Sequence, residues 1–491
     1  MGLVTYKNNR LVPAIIIVSC VFLFVYLLDP AVSHVQTGYR PATVVQPQAG
    51  QYVEVSLKDD TKIVPPPAVQ HVEPATAPAE PSSPRQYASI NGLAPTDVLL
   101  IMKTGGTTMW KRLLIHLTTS LAVERIPREN VVIYSDMSEK IGAFTTVDVL
   151  ANMSVAAKAM PDFDVYREQP EYIANNQYFE ASGVAGDEWG PTGGWIIDKY
   201  KFVPLMQHAG ENWPRAKWYI YMEDDSYLFL PQVLAYLSGF DWKRPHYLGS
   251  YAAKADVTFA HGGAGFAVSR GAWEKTFGQN SHMTEDYYEY TSLHCCGDQV
   301  LAHAMDKHGV KFGENDGDGK FTWGFNPVVH WTFAFSRHNW CSPLMSFHKI
   351  HSRDVQQYYE LERSWDPSKP FLHRDFFTNM ILPRIQKRLE WWDNMSGVFQ
   401  VTSANKAAPP APQDSKYDAK AWNNGWESVD ACEAACKGWV NCVQWSFVED
   451  LCTLDDKMIL GQGFAPAMSQ RKTSLIHTSG WLPERLGGWA C

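Results

Sequence analysis

The stretch that most constrains the fold is Trp218 to Pro231, which reads W-Y-I-Y-M-E-D-D-S-Y-L-F-L-P. An apolar run enters three adjacent acids, Glu223, Asp224 and Asp225. Because unpaired carboxylates are costly in a buried strand, we expect a cation beside them. A parallel strand ending at the carboxyl edge of a sheet, where open α/β folds bind ligands, accounts for this pattern, and a divalent metal carrying phosphate oxygens would suit the site. The alternative is an acidic turn between a strand and a helix.

Composition narrows the class of protein. The chain has 491 residues, of which 45% are hydrophobic and 13% aromatic, so it is long and apolar enough for a sizeable core. At this length we expect about two to four domains. The net charge of -9 and the lack of a long Lys/Arg run in the sequence argue against a nucleic-acid-binding surface.

An uncharged segment near the N-terminus predicts membrane anchoring. Residues 11–28 carry no charge and are long enough for one transmembrane helix. Lys7 and Arg10 precede this segment, so the positive-inside rule places residues 1–10 in the cytosol and gives a single-pass type II topology. The alternative is a cleaved signal peptide, for which Ala31-Val32-Ser33 supplies small residues.

Proline-rich stretches divide the remaining chain. Residues 29–92 form a predicted extended stem, and residues 401–418 form a second linker. Between them lies the predicted main domain, residues 93–400, and after them a tryptophan- and cysteine-rich module, residues 419–491. A module of this size usually needs disulfides to be stable.

Hydrophobic periodicity indicates alternating strands and helices in the main domain. The predicted strands are D-V-L-L-I-M-K-T from Asp97, Asn130 to Asp136, and the acidic strand; the predicted helices are Trp110 to Leu121, Gly193 to Met206, Asp354 to Leu361 and Phe376 to Trp392. This alternation predicts an α/β fold with a mostly parallel sheet flanked by helices.

The cysteines beyond the membrane segment are even in number, which suits disulfides in an oxidising compartment; zinc is the alternative. Cys432 and Cys436 lie on one face of a predicted helix, but spacing does not give the connectivity. The disulfide candidates are Cys295, Cys296, Cys341, Cys432, Cys436, Cys442, Cys452 and Cys491. Asn152 and Asn394 stand in N-glycosylation tripeptides and are acceptors if exposed.

Further stretches carry candidate functional residues. His261 to Ser269 contains a glycine turn of the kind that lets backbone approach a ligand. Asp298 begins a helical pattern, where it is either a functional acid or a helix cap. Met345 to His351 supplies His348 among aromatic residues, where a histidine is either a ligand or part of the core. Lys103, next to Thr104, and Lys199 are cations near predicted element ends, although lysines in such places often only face solvent.

The motifs D-V-L-L-I-M-K-T, M-E-D-D-S-Y-L, G-G-A-G-F-A-V-S, C-G-D-Q-V-L-A and S-F-H follow one another in an order that resembles the Fringe-like and core 1 β-1,3-galactosyltransferase family. The resemblance covers roughly Asp97 to His351. It implies an inverting β-1,3-glycosyltransferase with a GT-A type, Rossmann-like fold. The module at residues 419–491 resembles PAN/Apple modules, which are associated with protein or carbohydrate binding.

The resemblance also implies roles for individual residues. Asp225 and His348 correspond to the Mn²⁺ ligands and Asp298 to the general base, for which Glu285 and Asp286 are the nearest rivals. The candidate donor-binding residues are Lys103, Thr104, Lys199, Glu223, Asp224, Gly262, Gly263 and Gly265. Two positions depart from the family pattern: Glu223 replaces an aspartate, and Gly297 stands where many relatives have another acid.

The expected activity is transfer of a hexose, of galactosyl or N-acetylglucosaminyl type, from a UDP-sugar to a glycan or glycoprotein acceptor. The resemblance implies Mn²⁺ dependence and a Golgi type II membrane protein with a luminal catalytic domain. One alternative is an inactive transferase fold that serves as a lectin or scaffold. Another is a metal-dependent hydrolase of nucleotide sugars.

Overall fold

The computed structural model describes residues 87–175, 192–313, 324–413, 415–464 and 475–491, which belong to one compact unit, Pro81–Cys491. The predicted cytosolic tail and membrane segment, with most of the stem, lie outside these ranges. None of the helices within the described ranges is long and apolar enough to cross a membrane.

Strands and helices alternate through the main domain, as the periodicity predicts. The strands are β1 (Val98–Lys103), β2 (Val131–Ser135), β3 (Lys140–Ile141), β4 (Phe144–Thr145), β5 (Val147–Asp148), β6 (Trp218–Glu223), β7 (Ser226–Leu228), β8 (Tyr247–Gly249), β9 (Tyr251–Lys254), β10 (Val257–Ala260), β11 (Phe266–Ser269) and β12 (Ser346–His348). The α-helices are Met109–His116, Val155–Lys158, Asp164–Ala174, Gly194–Asp198, Phe202–Asn212, Leu230–Leu237, Arg270–Lys275, Met283–Ser292, Gly297–Lys307, Ser352–Ser364 and His373–Phe376.

The central sheet has six strands in the order β5-β2-β1-β6-β11-β8. The first four run parallel, whereas β11 is antiparallel to both β6 and β8. The domain is therefore mixed α/β with a parallel-rich central sheet and flanking helices, which confirms this part of the predicted fold class.

Both faces of the sheet are buried, which explains why β1 and β6 are apolar without interruption. Along β1, Leu99 and Ile101 enter one hydrophobic cluster, and Leu100 and Met102 enter the cluster on the opposite face. The strand β6 alternates in the same way. Since each face needs its own apolar cover, helices pack on both sides of the sheet.

The strands β1 and β6 end at the same level, because Lys103 pairs in register with Glu223. After a turn at Asp224 and Asp225, the chain forms β7, which pairs with β12 and places Ser226 opposite His348. This short ribbon brings a histidine from more than a hundred residues downstream to the acidic end of β6.

A second sheet occupies the C-terminal part. It is antiparallel and five-stranded, in the order β13-β19-β16-β17-β15. The strands of this part are β13 (Arg388–Glu390), β14 (Trp392–Asp393), β15 (Phe399–Val401), β16 (Gln444–Val448), β17 (Leu451–Asp455), β18 (Gln462–Gly463) and β19 (Thr478–Trp481); its α-helices are Ala419–Asn423 and Val429–Gly438.

The C-terminal sheet draws strands from both sides of the predicted linker at 401–418. The strand β13 lies in the predicted 93–400 domain, and β15 begins in that domain and ends at Val401, the first residue of the predicted linker. The helix predicted from Phe376 to Trp392 is wrong in its second half. A π-helical turn at Phe377–Ile381 and a 3-10 turn at Leu382–Arg384 end the helical segment, because the following residues pair with β19.

All eight cysteine candidates are paired. The bonds are Cys295–Cys296, Cys341–Cys491, Cys432–Cys452 and Cys436–Cys442. Cys432 and Cys436 share a face of the helix Val429–Gly438, which explains why both reach the C-terminal sheet. The Cys341–Cys491 bond joins the main domain to the chain end.

Candidate functional site

Glu223, Asp225 and His348 converge at the carboxyl edge of the central sheet. One ligand atom from each lies within 4.8 Å of the others. These atoms are two carboxylate oxygens and an imidazole nitrogen, a donor set that suits a divalent cation such as Mn²⁺. The structure thus brings together both sequence-predicted metal ligands, and Glu223 offers a third possible ligand atom.

Asp225 has one oxygen engaged by the protein and one directed into the cluster. Its Oδ2 accepts a hydrogen bond from Arg112 Nη1 at 3.1 Å. Its Oδ1 is buried, accepts no hydrogen bond in ideal geometry and lies 3.3 Å from His348 Nε2. Burial alone would raise the pKa of Asp225, but His348 and Arg112 outweigh it and hold that pKa below its ordinary value. The carboxyl group is therefore ionised and available to a cation.

A hydrogen bond to the backbone fixes the orientation of the His348 ring. Its Nδ1 lies 3.1 Å from the carbonyl oxygen of Pro327, so Nδ1–H donates there and Nε2 points toward Asp225. Burial lowers the pKa of His348, but Asp225 and Glu223 outweigh burial and raise it above its ordinary value. A carbonyl partner on the far nitrogen is typical of metal-binding histidines.

The glycine turn packs directly against this histidine. A Cβ atom on Gly263 would lie 2.2 Å from the His348 ring, so only glycine fits there. Ser226 Oγ donates to the Gly263 carbonyl oxygen at 2.6 Å and ties the turn to β7. Gly265 has a φ of 82°, in the left-handed region that side chains rarely adopt. The predicted glycines therefore shape the pocket wall.

Asp298 lies in the first turn of the helix Gly297–Lys307. Its Oδ2 accepts a hydrogen bond from the Gly262 N–H at 2.8 Å, and its Oδ1 accepts one from the Gln299 N–H at 2.9 Å. The N-cap is Cys296, so Asp298 is not the cap that the alternative interpretation requires. Burial raises the pKa of Asp298 to about 6, against the opposing effect of the Gly262 N–H.

The structure gives a packing reason for Gly297. A Cβ atom at this position would lie 2.3 Å from the Phe202 ring and 2.5 Å from the Lys199 carbonyl oxygen. A larger residue is excluded here. The acid that acts on Asp298 is instead Glu223, whose charge contributes to the raised pKa of Asp298.

Lys103 is buried beneath the acidic cluster. It pairs with Asp198, and with Glu223 Oε1 at 3.2 Å. Burial lowers the pKa of Lys103, but these two carboxylates outweigh it and raise that pKa above its ordinary value. Lys103 therefore stabilises the charge of Glu223, and its predicted contact with the donor stays a prediction.

A second buried lysine continues this charge network and is missed by the sequence analysis. Lys201 lies 3.1 Å from Asp136 and 3.2 Å from Asp198. The available signal was Asp136, which directly follows β2 at the same sheet edge as Lys103. The network Glu223-Lys103-Asp198-Lys201-Asp136 alternates negative and positive charges beneath the site, so that each lysine lies between two carboxylates.

Asp224 turns away from the metal-type cluster. Its Oδ2 accepts hydrogen bonds from Thr104 Oγ1 at 2.6 Å and from Thr108 Oγ1 at 2.9 Å. Burial raises the pKa of Asp224, and the neighbouring charge of Asp225 adds to this effect. Thr104 and Asp224, both predicted to bind the donor, thus bind each other and anchor the helix Met109–His116 to the strand end.

Other predicted residues lie elsewhere. Lys199 pairs with Asp162 at 2.8 Å and donates to the Ser292 carbonyl oxygen at 3.3 Å, so its ammonium group is not among the site carboxylates. Of the rival bases, Glu285 accepts a hydrogen bond from the Ser154 N–H, and Asp286 accepts one from Asn280. Neither contact involves the glycine turn or the acidic strand end.

The two N-glycosylation candidates differ in solvent exposure. Asn152 is exposed, as an acceptor must be. Asn394 is fully buried, and its Nδ2 donates to the Trp445 carbonyl oxygen at 3.1 Å. Asn394 therefore fails the exposure condition attached to its prediction.

Open α/β sheets bind their ligands outside the carboxyl ends of the strands, which is where the cluster of Glu223, Asp225 and His348 lies. Residues 96–296 match the family model described as Fringe-like, which confirms the resemblance found in the sequence. The family suggests glycosyltransferase activity with a nucleotide-sugar donor. No curated protein matches the chain significantly. The family match ends before the C-terminal module, so the resemblance of that module to PAN/Apple domains stays a prediction.

Proposed function

We propose that this protein is an inverting, UDP-sugar-dependent β-1,3-glycosyltransferase of GT-A type that transfers a galactosyl or N-acetylglucosaminyl group to a glycan or glycoprotein. The Fringe-like match supports the transferase class. The observation that carries the proposal is the glycine turn, which contacts His348 through Gly263 and donates to Asp298 through Gly262. One turn therefore couples the candidate metal ligands to the candidate base.

The residues at the sheet edge fit a divalent cation. Asp225 Oδ1 is buried and lies 3.3 Å from His348 Nε2, and a Glu223 oxygen converges on the same space. We propose that Asp225 and His348 hold Mn²⁺ and that Glu223 assists them. When bound, Mn²⁺ would supply Lewis-acid stabilisation of the charge on the departing nucleoside diphosphate.

Asp298 is the proposed general base. An acceptor hydroxyl loses its proton as it attacks the anomeric carbon, and a carboxylate with a pKa of about 6 is ionised at neutral pH and can accept that proton. The N–H groups of Gly262 and Gln299 hold both of its oxygens and so fix its orientation. A single displacement assisted by one base inverts the anomeric configuration.

Glu223 is less suited to act as a nucleophile or as a second base. Its Oε1 lies 3.2 Å from Lys103 Nζ and accepts a hydrogen bond from Tyr221 OH at 2.9 Å. These contacts stabilise its negative charge and hold the side chain in place. This division of roles favours a single displacement over a double displacement through a covalent intermediate.

The wider setting is also proposed. The apolar segment at residues 11–28 would anchor the protein in the Golgi membrane in type II orientation, and the disulfides suit the luminal side. The C-terminal sheet and its disulfides would form a PAN/Apple-like module that binds protein or carbohydrate.

The test is a donor and acceptor screen with the full-length protein. UDP-galactose and UDP-N-acetylglucosamine are supplied with Mn²⁺ and a panel of glycan acceptors, and products are identified by mass spectrometry. We expect a product whose anomeric configuration is inverted by NMR, and loss of transfer when Mn²⁺ is chelated. No transfer, together with no binding of UDP or Mn²⁺ in calorimetry, would support the lectin or scaffold alternative. Release of free sugar without an acceptor would indicate the hydrolase.

A further inference from the structure

A disulfide between adjacent residues stands at the start of the helix that carries Asp298. Cys295 and Cys296 are bonded to each other, both are half-buried, and Cys296 is the N-cap residue. The Cys296 carbonyl oxygen accepts the hydrogen bond of Val300 N–H at 3.2 Å. A bond between neighbours closes a small ring, which restricts backbone rotation at the point where this helix begins.

The same disulfide is connected to the glycine turn through Lys254. Lys254 Nζ lies 2.6 Å from Cys295 Sγ, and the Lys254 carbonyl oxygen accepts a hydrogen bond from Gln299 Nε2 at 3.4 Å. Lys254 belongs to the β9–β10 hairpin, which leads directly into the turn containing Gly262. The disulfide therefore adjoins the helix start that holds Asp298, and Lys254 connects it to the hairpin that precedes the glycine turn.

The backbone between the disulfide and Asp298 is short and tightly packed. The single intervening residue is Gly297, which already packs so closely on Phe202 and Lys199 that a Cβ atom would overlap them. A change in the backbone at Cys296 is thus transmitted to Asp298 and is not absorbed by an intervening loop.

We infer that the Cys295–Cys296 disulfide is a thiol-sensitive positioning element for Asp298, formed in the active enzyme and opened by low-molecular-weight dithiols. This inference rests on the proposed role of Asp298 as the base. On reduction by a dithiol, two electrons and two protons convert the S–S bond into two thiols, and the reductant becomes a cyclic disulfide. Lys254 Nζ lies 2.6 Å from Cys295 Sγ, so its charge would stabilise this sulfur as the leaving group when a thiolate attacks Cys296.

The first arm of the experiment measures turnover. We expect mild reduction with dithiothreitol to lower kcat by about tenfold or more, since small displacements of catalytic groups are costly, while Mn²⁺-dependent UDP binding in calorimetry is unchanged. Alkylation and mass spectrometry would verify that Cys295 and Cys296 are reduced while the buried Cys432–Cys452 and Cys436–Cys442 bonds stay intact. Reoxidation should restore kcat.

Matched variants assign the effect to this disulfide. The double variant Cys295→Ser/Cys296→Ser should have the lowered kcat of the reduced enzyme and no response to dithiothreitol. Cys341→Ser/Cys491→Ser removes an exposed bond elsewhere and should respond as the wild type does. If the double variant at Cys295 and Cys296 turns over as fast as the wild type, or if reduction of the wild type at these two residues leaves kcat unchanged, the inference is wrong.

The second arm does not depend on activity. Hydrogen exchange of the full-length protein should show faster exchange at the amides of Gln299 and Val300 after reduction. If these amides exchange equally slowly before and after reduction, the inference is wrong, whatever the activity of the enzyme. If the oxidised protein transfers no sugar from any donor, the proposed function fails, yet loss of protection on reduction would still show that the disulfide orders this helix start.

Discussion

The Gly262 N–H donates to Asp298 Oδ2 over 2.8 Å, and this hydrogen bond joins two parts of the site that lie far apart in sequence. The turn that holds Asp298 also abuts His348, which leaves no room for a side chain on Gly263. The same backbone therefore sets the positions of the proposed base and of a proposed metal ligand. Such coupling would let one rigid turn align both groups for the proposed reaction.

Replacing the base should separate chemistry from binding. We expect Asp298→Asn to lower kcat by about 10²- to 10⁴-fold, because an amide cannot act as the base that removes the proton from the hydroxyl group of the acceptor substrate. Calorimetric affinity for UDP and Mn²⁺ should be unchanged, since Asp298 is outside the cluster of Glu223, Asp225 and His348. The control is Asp286→Asn, an acid on the helix Met283–Ser292 that contacts Asn280. Full turnover by Asp298→Asn would remove Asp298 from the mechanism.

The pH dependence should report the same carboxyl group. Burial raises the pKa of Asp298 to about 6, so this side chain is protonated and inactive below that pH and ionised above it. At saturating Mn²⁺, kcat/KM should rise by about tenfold per pH unit up to pH near 6 and then level off. The measurement is a pH-rate profile of the wild type and of Asp298→Asn. A rise that persists in the variant would show that another group is responsible.

The glycine turn offers a test of the metal site without changing a ligand. The Cβ atom of Gly263→Ala would lie 2.2 Å from the His348 ring, so the imidazole or the turn must shift and the present ligand orientation is lost. We expect Mn²⁺ affinity in the presence of UDP to fall by about 10- to 100-fold, as for other changes that disturb ligand orientation. Gly487→Ala is the control, because no atom lies within 4 Å of its added Cβ. Equal affinities in calorimetry for both variants would contradict the proposed cation site.

The sequence predicts the sheet and the cluster well because both follow from local patterns. Uninterrupted apolar runs predict β1 and β6, and their common orientation explains why Lys103 and Glu223 meet in register. Asp225, Asp298 and His348 were recognisable because each lies in a family motif.

The sequence could not predict which carboxylate each lysine pairs with, because this depends on three-dimensional packing. Lys199 and Lys201 lie two residues apart near the start of the same helical region, yet only Lys201 turns inward toward Asp136. The second half of the helix predicted from Phe376 to Trp392 is wrong for a related reason. Residues 388–390 form a strand because β19, from the chain end, is available to pair with them.

Glycan mapping should distinguish the two tripeptides. Asn152 is exposed, whereas Asn394 is fully buried. If the described domain is luminal, Asn152 should carry an N-glycan and Asn394 should not. The measurement is mass spectrometry of peptides after enzymatic deglycosylation of protein secreted from or retained in eukaryotic cells. A glycan on Asn394 in the folded, disulfide-bonded protein would contradict the packing described for this side chain.

The stability of the C-terminal sheet should depend on the buried amide of Asn394. Its Nδ2 donates to the carbonyl oxygen of Trp445 at 3.1 Å and to that of Gly480 at 3.4 Å, so it links β16 to β19 next to their pairing. Asn394→Ala leaves these carbonyl groups without the side-chain donor in a dry interior, and we expect a loss of about 1–3 kcal/mol in the free energy of unfolding. The exposed Asn152→Ala serves as the control, with an expected change within about 0.5 kcal/mol. Thermal and denaturant unfolding of the two variants, with all disulfides verified as formed, measures the difference. If both variants unfold like the wild type, the Asn394 amide contributes no stability between these strands.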